Sequence, residues 1–284
     1  MNRILPRTAG PLASRAFALL LAAAFLMFSG CSKPRPYQTT YSPIAPAPQV
    51  SKPTQSPYPS SSGVKIVQQP LNGATATGTV SHEVGPLETL WRISKMYDVP
   101  VDAICQANGL SRNDPLRIGQ TLTIPGAKCF RNIIPLYPNN RWTYIIVHHT
   151  ATEIGKASII NRAHNERGFW QGLGYHFLID NGTLGKGDGQ IEASPRWIKQ
   201  LIGAHCKADG MNSRAIGVAL VGNFNYETPT ANQLDSLAYL LRTLMEYYHI
   251  PSSNIMGHRD VDGASTECPG KLFPWPQLRQ CLVR

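Results

Sequence analysis

Residues 141–151 read Arg-Trp-Thr-Tyr-Ile-Ile-Val-His-His-Thr-Ala, an apolar run that ends in two histidines. The β-branched and aromatic side chains from Trp142 to Val147 predict a buried strand. Successive side chains of a strand point to opposite faces of the sheet, so His148 and His149 point in opposite directions. The sequence therefore predicts a strand that delivers one of these two histidines to a site.

Further apolar segments around this strand predict an α/β domain over residues 127–284. Two more strands are predicted, at Tyr175–Asp180, which the hairpin dipeptide Asn181-Gly182 follows, and at Ala215–Gly222. Helices are predicted at Ala157–Arg167 and after Thr230, a helix-capping residue that precedes an apolar stripe. Strands that alternate with helices indicate a mixed central sheet flanked by helices.

Two histidines and a cysteine in this domain have the chemistry of metal ligands. His148 ends the first strand, His258 lies in the motif GHRDV, and Cys268 lies in TECPG. Imidazole and thiolate are good zinc ligands, and three protein ligands leave the fourth tetrahedral position for a water molecule. Bound Zn²⁺ lowers the pKa of that water toward ~7. Scattered histidines and cysteines are more often structural, so these three residues alone do not identify a function.

Four motifs identify the family more specifically than the three candidate ligands do. They occur in the order IIVHHTA, GLGYHFLID, NSRAIGVALVGNF, and GHRDV with TECPG. Together they resemble the type-2 N-acetylmuramoyl-L-alanine amidases, the family of peptidoglycan-recognition proteins and phage-lysozyme-type amidases. The resemblance implies Zn²⁺ held by His148, His258 and Cys268. It also implies hydrolysis of the amide between the lactyl group of N-acetylmuramic acid and L-alanine of the stem peptide. Binding-only relatives lose the cysteine ligand, so Cys268 favours an enzyme over a non-catalytic peptidoglycan-binding lipoprotein of the same fold.

The same resemblance assigns roles to other residues. Tyr175 matches the family tyrosine that faces the metal, and Thr266 matches the residue that stabilises the transition state. His164, His205 and Asn212 are expected to contact the muropeptide in the amidase groove. For His164 a surface position on the predicted helix is the other interpretation, and for Asn212 a role in loop structure is equally open.

Residues 80–126 predict a second, smaller domain with the order strand, helix, helix, strand. Thr89 caps a predicted helix at Leu90–Tyr97, and Asn108-Gly109 closes a second one that begins at Val101. The segments ETLWRISKMYDV, AICQANGL and LRIGQTLTIP resemble a LysM domain, which implies binding to the glycan strands of peptidoglycan. The turn Gly85–Thr89 departs from the compact Gly-Asp-Thr turn of most relatives, close to the usual sugar groove.

The N-terminal segment has the features of an export signal over residues 1–30. A basic start precedes the apolar run Ala16–Phe28, which is shorter than the ~20 residues that span a bilayer. Ser29-Gly30-Cys31 resembles a bacterial lipobox, which implies lipidation of Cys31 and a membrane anchor. The next residue, Ser32, resembles the residue found at this position in lipoproteins that are sorted to the outer membrane and face the periplasm. An ordinary cleaved signal peptide is the alternative. The Pro- and Ser-rich composition of residues 31–79 predicts a disordered linker.

The net charge of +10 does not indicate a nucleic-acid-binding protein. Seven basic and no acidic side chains lie in residues 1–80, so most of the excess belongs to the predicted signal peptide and linker. An exported chain with six cysteines is compatible with disulfides. Setting Cys31 and Cys268 aside leaves four cysteines with three possible pairings, or with free buried thiols: Cys105, Cys129, Cys206 and Cys281.

Overall fold

A computed structural model describes residues 63–71 and 77–282, and these residues belong to one compact unit. The predicted signal peptide, Cys31 and most of the predicted linker lie outside the described residues. Within the described ranges, every helix is too short or too polar to cross a bilayer.

The described residues form nine strands and seven α-helices. The strands are β1 (Lys65–Pro70), β2 (Gly78–Glu83), β3 (Thr121–Ala127), β4 (Arg131–Leu136), β5 (Tyr144–His149), β6 (Phe177–Asn181), β7 (Asp188–Ala193), β8 (Ala215–Leu220) and β9 (Ile255–Gly257). The helices are α1 (Leu90–Tyr97), α2 (Val101–Asn108), α3 (Ala157–Glu166), α4 (Pro195–Ile198), α5 (Met211–Arg214), α6 (Ala231–Tyr248) and α7 (Trp275–Leu282).

A five-stranded mixed sheet forms the centre of the larger domain, in the order β7-β6-β8-β5-β9. Strands β5, β6, β8 and β9 run parallel to one another, while β7 pairs antiparallel with β6. The predicted α/β fold with a mixed central sheet is thereby confirmed. Because the four parallel strands share a direction, their carboxyl ends meet at one edge of the sheet.

Helix α6 covers the sheet with the apolar stripe that the sequence predicts. Thr230 Oγ1 accepts a hydrogen bond from the backbone N–H of Gln233, and the side-chain oxygen of Gln233 accepts one from the backbone N–H of Thr230. Leu237, Leu241 and Leu244 are fully buried in the same hydrophobic cluster as the sheet. The capped, amphipathic sequence thus fixes both where the helix begins and which face it buries.

The smaller domain has the predicted βααβ order, with β2 and β3 paired antiparallel and α1 and α2 between them. Thr89 accepts a hydrogen bond from the Arg92 backbone N–H, as expected for the cap of α1, and Gly109 ends α2 in the left-handed conformation. Its core is built around buried side chains from both helices and β3, including Ile93, Ile104 and Leu122.

The prediction that residues 31–79 form a disordered linker is wrong for Lys65–Pro70. These residues form β1, which pairs antiparallel with β4. Ile66 and Val67 both pack against buried hydrophobic clusters, so this short segment gains burial that its Pro- and Ser-rich surroundings lack.

Candidate metal centre

Parallel strands β5 and β9 deliver the three predicted metal ligands to one edge of the sheet. His148 lies at the end of β5, His258 directly follows β9, and Cys268 lies in the loop beyond it. Their ligand atoms all lie within 4.8 Å of one another, and Cys268 Sγ is 3.6 Å from His148 Nδ1. Two imidazoles and one thiol at this separation are a donor set that fits a zinc ion with one open position.

His149 points to the other face of the strand, as the alternation of side chains predicts. Its Nδ1 accepts a hydrogen bond from the Phe224 backbone N–H at 3.1 Å. Its own backbone N–H donates to Cys268 Sγ at 3.4 Å. One histidine of the pair therefore faces the cluster, and the other anchors the loops that surround it.

The charge states of the cluster are set mainly by burial. Burial, with the neighbouring His205 and His258, holds the pKa of His148 well below its usual range, and burial also lowers the pKa of His258. Both imidazoles are therefore neutral at neutral pH, the form that donates a lone pair to a metal. Burial raises the pKa of the Cys268 thiol to about 12. Such a thiol ionises at neutral pH only beside a cation, which is the behaviour of a metal ligand.

Tyr175 and Thr266 both lie at the cluster. The Tyr175 ring centre is 5.1 Å from that of His148, and burial raises the pKa of its phenol above the usual range. Tyr175 is therefore a hydrogen-bond donor throughout the physiological pH range. Thr266 is exposed, and its Oγ1 accepts a hydrogen bond from the Cys268 backbone N–H at 3.1 Å.

His205 lies behind His148, on the far side from Cys268. Its Nδ1 is 3.1 Å from His148 Nε2, its Nε2 is 3.3 Å from the Ala215 carbonyl oxygen, and it is only 8% exposed. These contacts favour support of His148 over the substrate contact that the sequence predicts.

The other two residues predicted to bind substrate differ from each other. Asn212 Oδ1 accepts hydrogen bonds from the backbone N–H groups of His205 and Cys206, which favours the loop-structure alternative. His164 is buried rather than on the surface, its Nδ1 accepts from the Gly174 backbone N–H at 3.0 Å, and its ring lies 5.7 Å from that of Tyr175. His164 therefore lies beside Tyr175, whereas Asn212 holds the backbone of the loop that carries His205.

Two buried polar residues that support the site had no clear signal in the sequence. His176 accepts from the Gly217 backbone N–H, and its ring packs 5.6 Å from that of His205. Arg196, 1% exposed, donates to the carbonyl oxygens of three loop residues, Leu173, Ile202 and Trp170. His176 lies directly before β6 and next to Tyr175 in the sequence, whereas the partners of Arg196 are backbone groups that no motif marks.

Cys268 is the cysteine that lies in the metal cluster, and the other described cysteines lie outside it. Among the described residues, Cys105, Cys129, Cys206 and Cys281 carry free thiols. The free-thiol alternative is therefore favoured over the three pairings.

Each of the two predicted domains matches a known protein family. Residues 138–271 match the N-acetylmuramoyl-L-alanine amidase family, and residues 82–125 match the LysM domain family. The chain is similar to peptidoglycan-recognition protein SC2 of Drosophila melanogaster, at 34% identity over 149 residues, 49% of this chain and 74% of that protein. It is also similar to the peptidoglycan recognition protein of Trichoplusia ni, at 31% identity over 137 residues, 45% of this chain and 68% of that protein. Among solved structures, the N-acetylmuramoyl-L-alanine amidase LysC from Clostridium intestinale URNW is 37% identical, with 53% of this chain and 91% of that chain covered and a TM-score of 0.44.

Proposed function

This chain belongs to the family of N-acetylmuramoyl-L-alanine amidases and peptidoglycan-recognition proteins, and we propose that it is a zinc-dependent member that hydrolyses peptidoglycan. The bond cleaved is the amide between the lactyl group of N-acetylmuramic acid and L-alanine of the stem peptide. The LysM and amidase domains indicate peptidoglycan binding and a location in the cell envelope or outside the cell. The observation that carries the catalytic proposal is the convergence of His148, His258 and Cys268 within 4.8 Å.

The proposed roles of the protein groups follow from their positions. His148, His258 and Cys268 hold the ion, which, when bound, supplies Lewis acidity toward the scissile carbonyl and toward a water molecule. The protonated phenol of Tyr175, packed on His148, donates a hydrogen bond to the negative charge that develops on the carbonyl oxygen. Because Thr266 Oγ1 accepts from the Cys268 backbone, its O–H is left to donate to the same charge.

Around the site, His164 is proposed to line the groove for the stem peptide, beside Tyr175. His149 keeps the sulfur in place, since its backbone N–H donates to Cys268 Sγ. A backbone donor to a thiolate stabilises the charged form that a metal requires.

The proposed organisation of the whole chain combines these domains with the N-terminal sequence. Residues 1–30 are an export signal, Cys31 is lipidated, a LysM domain spans residues 80–126, and the amidase domain spans residues 127–284. The protein is then a periplasmic enzyme held at the outer membrane by its lipid. The lipobox-like Ser29-Gly30-Cys31 supports this placement.

The test is incubation of the full chain with purified peptidoglycan, with and without a zinc chelator, followed by mass spectrometry. We expect stem peptides that begin with L-alanine, lost on chelation and restored by Zn²⁺. The Cys268→Ser variant should remain folded, bind zinc more weakly and release no peptide. A zinc-loaded chain that binds peptidoglycan but releases nothing supports a recognition function instead, as in the relatives named for recognition.

A further inference from the structure

The ribbon of β1 and β4 is shared by two hydrophobic cores. Ile133 and Ile134 are 1% and 0% exposed, yet Ile133 lies in the core of the LysM domain and Ile134 in that of the amidase domain. On β1, Ile66 packs against the first core and Val67 against the second. Adjacent side chains of a strand point to opposite faces, so each face of the ribbon completes one domain.

A buried cluster of charges crosses the same boundary. Lys186 of the amidase domain is 4% exposed at its side chain, lies 3.0 Å from Glu192, and donates to the Glu83 carbonyl oxygen of the LysM domain at 3.1 Å. The Glu83 carboxylate contacts Lys156 Nζ at 2.5 Å and accepts from Ser158 Oγ at 2.9 Å. Charges that are buried and paired in this way hold the two surfaces in one arrangement, because separation leaves them unpaired.

The turn that departs from the LysM family pattern lies at this boundary. A Cβ at Gly85 would lie 3.0 Å from Glu192 Oε2, so the backbone approaches the amidase domain closely. Leu87 has a φ of 57° and packs against the amidase core. A left-handed backbone is unfavourable for leucine, and the docked surface supplies the contacts that hold it there. The unusual turn is therefore a docking element.

Helix α3 connects this boundary to the metal site. At its N-terminal end, the Ala157 backbone N–H donates to Glu192 Oε1 at 2.8 Å, and Ser158 contacts Glu83. His164, near its other end, packs against Tyr175. At about 1.5 Å per residue, Ser158 and His164 are roughly 9 Å apart along the helix axis.

We propose that the two domains act as one rigid unit and that the enzyme therefore prefers polymeric glycan over small soluble muropeptides. The inference rests on the proposed amidase function. Docking keeps the cavity formed by the LysM residues Leu87, Trp91 and Ile118 at a constant separation from the metal site. A glycan chain that reaches both is held twice, and its second contact is intramolecular, whereas a soluble muropeptide gains only the contact at the metal site.

The experiment compares wild type with Lys186→Met, which breaks the charge cluster, and with Lys95→Met, which removes an exposed lysine of the LysM domain. Hydrogen exchange of α1 and α2 reports docking, and release of stem peptides is measured on intact sacculi and on a soluble disaccharide-peptide. We expect Lys186→Met to speed exchange in the LysM helices by about tenfold or more. Its rate on sacculi should fall about fivefold relative to its rate on the soluble substrate. Lys95→Met should match wild type in both.

An equal fall on both substrates, or unchanged rates despite faster exchange, overturns the substrate preference. Unchanged exchange overturns the rigid docking. Should Lys186→Met fail to fold, Glu83→Gln carries the same comparison, since its side chain is 28% exposed. A wild-type chain that hydrolyses neither substrate removes the proposed function and with it the substrate preference, while the exchange measurement still decides whether the domains are docked.

Discussion

His148 Nε2 lies 3.1 Å from His205 Nδ1, and this contact determines which nitrogen of His148 faces the metal site. His205 Nε2 is 3.3 Å from the Ala215 carbonyl oxygen, which can only accept, so His205 carries its proton on Nε2. Its Nδ1 then accepts from His148 Nε2–H. The lone pair of His148 is left on Nδ1, the atom that faces Cys268 Sγ.

Removal of this support should weaken metal binding. We expect His205→Ala to lower zinc affinity about 10- to 100-fold, because His148 loses the acceptor that fixes its tautomer and ring orientation. Competition with a chromogenic chelator measures the affinity. The matched control is His249→Asn, at an exposed, left-handed position after α6 where asparagine is tolerated. Equal zinc affinity in wild type and His205→Ala means that the contact is packing alone.

Tyr175→Phe should separate metal binding from turnover. The phenol lies beside His148 but is not among the three clustered ligand residues, so zinc content should stay unchanged. Loss of one preorganised donor to the developing oxyanion should lower kcat by about 100-fold. Tyr226→Phe, at a residue 80% exposed, is the control for loss of a tyrosine hydroxyl. A kcat within twofold of wild type refutes the donor role.

Glu88 should make the stability of the protein sensitive to acid. Burial by itself raises the pKa of this carboxyl, but the charge and hydrogen bond of His82, with Arg92 and Lys186 nearby, outweigh it and lower the pKa from 4.5 to about 2. A depressed pKa stabilises the folded state above the unfolded pKa, and that stability is lost as the pH falls from about 4.5 to about 2.

Urea unfolding at a series of pH values measures this effect. We expect Glu88→Gln to be less stable than wild type at pH 7, by on the order of 3 kcal/mol, and the difference to shrink as the pH falls through this window. Glu246→Gln, on the exposed face of α6, should show no such narrowing. A constant difference between wild type and Glu88→Gln at every pH contradicts the assignment.

Elements with strong local signals were predictable from the sequence. The capping residues Thr89 and Thr230 locate the starts of α1 and α6. Each side-chain oxygen accepts a hydrogen bond from a backbone N–H three residues later, so the signal is local in the sequence. Strand β7 had no such signal. Its Glu192 is buried with the carboxylate paired to Lys186 and to the Ala157 backbone N–H, which lies 35 residues away in the sequence.

The candidate site also has a predictable and an unpredictable part. The metal ligands His148, His258 and Cys268 were predictable, because their residue types and the motifs around them are typical of zinc ligands. The position of His205 behind His148 depends on a contact between residues that are 57 positions apart in the sequence. The hydrogen bond from Lys186 to the Glu83 carbonyl oxygen joins residues that are 103 positions apart. Such contacts follow from the assembled fold and leave no periodic trace in the chain.

Strand β1 offers the sharpest test of the part that the sequence did not predict. If residues 65–70 complete both cores, a charge at either apolar position faces a buried cluster, so Ile66→Asp and Val67→Asp should each lower the free energy of unfolding by about 1–3 kcal/mol. Lys65→Asp, on the exposed side of the strand, should stay within about 0.5 kcal/mol of wild type. Urea unfolding of the three variants at pH 7 makes the comparison. A disordered linker predicts the same stability for all three, whereas a strand shared by two cores predicts that only the exposed substitution is neutral.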